Sequence, residues 1–182
     1  LLMPSVVMIF GSTIFVSAFL IFVVQPMFAK VLLPTLGGSA AVWNTAMLFF
    51  QTTLVLGYGY VHFIRSLRVS RQILAHIVIL LIACSLLPFD TSGSGVPQPG
   101  DNPVFWMLGI MTLSVGLPFF ALAANAPLLQ FWFSKTKHPR SSDPYFLYSA
   151  SNLGSILALV LYPLLVEPNL TLKGQSLWWS VV

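Results

Sequence analysis

Charge is what this sequence has least of. Asp, Glu, Lys and Arg make up 7% of the 182 residues, four acidic and eight basic. Soluble domains carry about 25%, so the chain lacks the polar surface that would keep it in water. That shortage excludes a soluble enzyme, a disordered tail and a nucleic-acid reader as a class. Cysteine is almost missing as well: Cys84 stands alone, which excludes an internal disulfide framework and a cysteine-based zinc cluster. There is no His-x-x-x-His pair, no glycine-rich phosphate loop and no Gly-x-Ser-x-Gly elbow, so neither metal chemistry nor a serine nucleophile has its usual spacing. No catalytic residue, metal ligand or cofactor is assigned.

Hydrocarbon fills the gap. The chain is 57% hydrophobic, with a mean hydropathy of +0.90. A bilayer core about 30 Å thick takes roughly 20 apolar residues per helix. Five segments meet that need without one charged residue, at about 5–25, 40–64, 72–89, 104–131 and 145–166. A sixth begins at Leu177-Trp178-Trp179 and stops at Val182, and the first residue is Leu1. The expectation is therefore an all-α, polytopic transmembrane bundle of about six spans, the last incomplete, forming a single domain over 1–182.

Cations set the expected orientation. Arg65, Arg68 and Arg71 follow the second span, and Lys135, Lys137 and Arg140 follow the fourth. Only Lys30 and Lys173 lie in the alternate connections. Lys and Arg mark the cytoplasmic side of a membrane protein, so the N-terminus is expected inside and the Pro/Gly-rich segment 90–103 outside. Between the first two spans, Pro26 invites a break and Lys30 can reach headgroups along its aliphatic stem. A short interfacial helix is favoured there over a continuous one. Glu167, at the end of the fifth span, reads as a solvated end residue.

The polar residues inside the spans are the candidates for function, because lipid offers them no partner. Asn44, Gln51 and Tyr58 recur every seven residues, with His62 four later, on one helical stripe. Asn125 lies on the fourth span beyond Pro118, whose missing N–H frees a carbonyl in mid-membrane. Tyr148 and Asn152 share a stripe on the fifth. These seven are candidate cavity-lining residues, or else interhelical hydrogen-bonding groups that fix packing. Ala150, Gly154 and Ala158 form a small-xxx-small face for close helix contact. His62 and His76 flank the basic turn and read as interfacial anchors.

Several strings resemble a known family. Phe15-Val-Ser-Ala-Phe-Leu-Ile-Phe-Val-Val-Gln-Pro-Met-Phe-Ala-Lys30, Ala41-Val-Trp-Asn-Thr45, Gly57-Tyr-Gly-Tyr-Val-His62 and Asp143-Pro-Tyr-Phe-Leu-Tyr-Ser-Ala-Ser-Asn-Leu-Gly-Ser155 are the main ones. Together with Ala126-Pro-Leu-Leu-Gln130 and Glu167-Pro168, they are similar to the N-terminal membrane region of the spermidine-synthase-like integral membrane proteins. The likeness implies a major-facilitator-like membrane part in a bacterial inner membrane, followed in fused members by a synthase domain. No such soluble domain lies within 1–182, so no synthase residue carries over.

Three functions follow as expectations. The favoured one is a non-catalytic module, a scaffold or anchor within a larger membrane protein or complex. Its partners would be the lipid bilayer and other membrane helices or subunits, with no nucleic acid. The alternative is a transporter-like module for a small polar metabolite, set against spans that lack any carboxylate. The third is the membrane part of a polyamine-synthase-like enzyme whose catalytic domain lies outside this sequence.

Overall fold

The computed structural model describes residues 2–89, 97–98 and 100–182. Among them the chain is helical, with no strand. Six helices follow in order: α1 (Leu2–Leu36), α2 (Ala40–Ile64), α3 (Val69–Ser85), α4 (Pro103–Ser134), α5 (Tyr145–Asn169) and α6 (Leu172–Val181). Four of them, α1, α2, α4 and α5, are long and apolar enough to cross a membrane. The third expected span falls on α3, an apolar helix of 17 residues that is shorter than those four. The expected outer segment 90–103 falls mostly outside the described residues.

The first helix corrects the expectation of a separate interfacial piece. α1 runs unbroken for 35 residues through both Pro26 and Pro34. Proline is tolerated this way in a packed apolar helix, because each ring removes one backbone hydrogen bond and neighbours supply replacements. Ahead of Pro34, Val23, Val24, Met27 and Phe28 are fully buried. Breaking the helix at Pro26 would forfeit that packing. Gly37, at a φ of +74°, then makes the turn that only glycine enters without strain, and Ser39 caps α2 by accepting from the Val42 N–H.

Proline also shapes α4 and α5, without breaking either. A π turn at Thr112–Gly116 immediately precedes Leu117-Pro118, and a second at Tyr162–Val166 contains Pro163. A widened turn re-registers the hydrogen-bond ladder around a residue that cannot donate to it. The expected mid-helix irregularity at Pro118 is thus a π turn on its N-terminal side.

α1 is the axis of the bundle. It packs along α5, α4 and α6 and more lightly against α2, while α3 rests chiefly on α4. Two close approaches fix the layout. A β-carbon on Gly154 of α5 would collide with the Phe15 carbonyl oxygen of α1, and Ala158 is fully buried in the same seam. A β-carbon on Gly57 of α2 would lie 3.0 Å from the Ala123 β-carbon of α4. Aromatic rings fill the remaining core, with Phe50 and Phe119 at 4.9 Å between centroids. α6 is tied to α1 by the Trp179 indole N–H, which donates to the Leu20 carbonyl at 2.9 Å.

Both basic turns lie at one end of the bundle. The Trp132 indole near the end of α4 donates to Gln72 at the start of α3, at 2.8 Å, which brings Arg65, Arg68 and Arg71 alongside Lys135 and Lys137. The opposite end holds the α1–α2 turn and Lys30, paired there with Glu167. Glu167 keeps 38% of its side chain exposed while pairing with Lys30, which reaches a carboxylate as well as the surface.

Candidate functional site

Polar side chains gather in three places, and the sequence stripes named the residues of the second and, of the first, only Asn125. The first place is buried. On α3, Gln72 and His76 sit one turn apart and are 1% and 3% exposed. The opposite arc of that helix, Leu74, Ile77, Val78 and Leu81, is wholly aliphatic and exposed. His76 Nε2 meets Asn125 Oδ1 of α4 at 2.7 Å, and Asn125 Nδ2 donates to Ser17 Oγ of α1 at 3.1 Å. Gln72 Nε2 donates to the Leu67 carbonyl at 2.8 Å while its oxygen accepts from Trp132. Two hydrogen-bonded sets, Ser17–Asn125–His76 and Leu67–Gln72–Trp132, thus join three helices and the α2–α3 turn.

The direction of the His76–Asn125 bond depends on the imidazole tautomer, because the Ser17 hydroxyl can either accept or donate. Among the described residues His76 Nδ1 has no partner, and neither has the buried hydroxyl of Tyr60, whose ring centroid lies 6.1 Å from that of the imidazole. No group of three His, Cys, Asp or Glu that could hold a metal occurs among the described residues.

The second place is an outward face, and it reverses an expectation. Asn44, Gln51, Tyr58 and His62 do share one stripe of α2, yet all four are exposed. The inward side of α2 is taken by Thr45, Phe49, Phe50, Thr53, Gly57 and Val61. These small and aromatic residues fit against α4, where an amide stripe would have held the helices apart. Tyr148 and Asn152 of α5 are exposed as well, so of the seven candidates only Asn125 points into the bundle. Ala150, Gly154 and Ala158 lie on the α1 side of α5, with Gly154 and Ala158 buried.

Two hollows lie beside α1, each bordered by α2. A groove of about 250 Å³ between α1 and α2 is lined by Gln25, Gln51, Met47 and Phe119. Past it, towards the α1–α2 turn, a hollow of about 280 Å³ brings Trp43 of α2 close to Leu159 and Pro163 of α5, above Lys30 and Glu167. That hollow is the third place. A larger hollow of about 580 Å³ between α2 and α4 offers no comparable chemistry. The hydroxyls of Thr53 and Thr112 beside it are spent on carbonyls of their own helices.

Sequence reading missed the histidine centre because it placed His76 by its distance from the basic turn. The available signal was angular: Gln72, His76 and Ala83 share one side of a helix whose other side is Ile, Leu and Val. Compared with known proteins, the chain matches no family model, no curated protein and no solved structure.

Proposed function

We propose that this chain is a non-catalytic integral membrane module that assembles laterally with further membrane helices through the face made by α2, α1 and α5. One observation carries the reading. Gln51 and Asn152 are exposed on helices long and apolar enough to span a bilayer. An amide left facing hydrocarbon costs several kcal/mol, so this face has its free-energy minimum against polar groups of other helices. The basic end is cytoplasmic in this reading, α3 is a fifth membrane segment and α6 the start of an incomplete sixth, and the membrane is a bacterial inner membrane. The likeness to the membrane region of spermidine-synthase-like proteins fits a module that carries or flanks another domain.

A second reading is a transporter-like half, favoured by the groove beside Gln25 and Gln51. Single cysteines at Asn44, Gln51 and Asn152, in a Cys84→Ser background, separate the two in native membranes. Lateral assembly predicts cross-links to a neighbouring helix from all three positions and none from Leu74 on α3. Labelling of the Gln51 position by a membrane-impermeant maleimide, without cross-links, is the carrier outcome. Protection from both reagents means that the face lies in lipid, and the proposal fails.

A further inference from the structure

The hollow over Lys30 and Glu167 has an unusual division of chemistry. Its walls, Pro26, Leu33, Leu159 and Pro163, are apolar, and Trp43 stands at its edge. Its polar chemistry is concentrated in the ion pair between Lys30 of α1 and Glu167 of α5. Both charged side chains are 38% exposed, so each keeps free hydrogen-bonding capacity towards the outside. No other ion pair occurs among the described residues.

We propose that this hollow is a binding site for a zwitterionic phospholipid with a primary-amine headgroup. Charge at a rim above hydrocarbon walls is complementary to an amphiphile. A small soluble zwitterion would instead need polar groups around its whole surface, whereas the lining adds only Trp43 and Tyr162, whose hydroxyl is spent on Gln175. Site charge selects among lipids. Lysine alone would favour an anionic headgroup, but the neighbouring carboxylate repels net negative charge, and the pair together is neutral. A phosphodiester accepts from the Lys30 ammonium while the lipid ammonium donates to Glu167, giving four alternating charges in a row. A choline headgroup has no N–H to donate and loses that second contact. Aromatic residues such as Trp43 favour the headgroup level, and Leu33, Leu159 and Pro163 supply apolar wall beside the charged pair.

The test is independent of lateral assembly, since it concerns the chain's affinity for lipid and reads out on the isolated protein. The full chain is purified in detergent and offered an equimolar mixture of phosphatidylethanolamine, phosphatidylcholine and phosphatidylglycerol of matched chains. Retained lipid is then measured by native mass spectrometry. Loss of a charge-assisted hydrogen bond corresponds to a preference of about tenfold or more for the amine lipid over the choline lipid. Lys30→Met and Glu167→Gln should each abolish the preference, while Arg68→Gln at the opposite end leaves it intact. The wild-type comparison needs no variant to fold. Equal retention of the amine and choline lipids, or dominance of phosphatidylglycerol, overturns the proposal. So does displacement of the lipid by soluble phosphoethanolamine at equal concentration, which would make the free zwitterion the ligand.

Discussion

Asn125 uses both ends of its side chain at once. Its oxygen faces His76 and its nitrogen donates to Ser17, so Asn125→Leu would strand two buried partners on two other helices. Stranded buried groups cost about 1–3 kcal/mol, and thermal or denaturant unfolding in detergent should register a loss of that order. Removing the histidine too, in Asn125→Leu/His76→Leu, should recover part of it, because the pair then disappears together. Gln51→Leu makes the contrast. Its amide is exposed and has no partner to strand, so the isolated chain should change by less than about 0.5 kcal/mol while cross-linking in membranes weakens. Equal losses for Asn125→Leu and Gln51→Leu would mean that the inward and outward assignments are wrong.

At the scale of helices, glycine decides where backbones meet. Gly154 faces the Phe15 carbonyl of α1, and Gly57 faces Ala123 and the Ala124 backbone of α4. A leucine at either position must push two helices apart and forfeit the van der Waals contact that drives association in lipid. Gly154→Leu should disrupt folding outright, because the α1–α5 seam is the most extensive in the bundle. Gly59, one residue pair away from Gly57, has open space around it, so Gly59→Ala should fold like the wild type in detergent. Retained wild-type stability in Gly154→Leu would show that the seam is absent in solution.

Helix positions were legible because length and apolar composition alone determine what can span a bilayer. The small-xxx-small spacing was equally plain in Ala150, Gly154 and Ala158. What could not be read was direction. Periodicity says that Asn44, Gln51 and Tyr58 share a stripe, and it is silent on whether that stripe faces α4 or the outside. The decision was made by Gly57, Ala123 and Ala124, whose close fit leaves no room for amides, and that fit is a property of two helices together.

For the whole molecule, the distribution of cations predicts which end faces the cytoplasm. Six of the eight basic residues occupy the two turns at one end, a bias that orients membrane proteins. With Cys84→Ser as background, a cysteine at Ser141 should react with an impermeant maleimide only after the membrane is opened. One at Thr171, the cap of α6, should react in intact cells. The reverse pattern would invert the topology. It would leave the packing untouched, since neither Gly154 nor Asn125 depends on which compartment lies beyond the turns.

The central position of α1 has a consequence for biosynthesis. Among these helices it is made first, yet its firmest partners, α4 and α5, are made after α2 and α3. Its bond from Trp179 to the Leu20 carbonyl closes only 159 residues later. During that interval α1 must rest in lipid or against the insertion machinery with its contact surface uncovered. Its composition suits the wait: the hydroxyls of Ser12 and Thr13 are satisfied by the Ile9 carbonyl of the same helix, and most of its remaining surface is aliphatic or aromatic. Asn125 is synthesised only when His76 and Ser17 already exist to receive it. The order of residues along the chain thus delivers this amide after both of its partners, and α1 can serve as the template on which later helices settle.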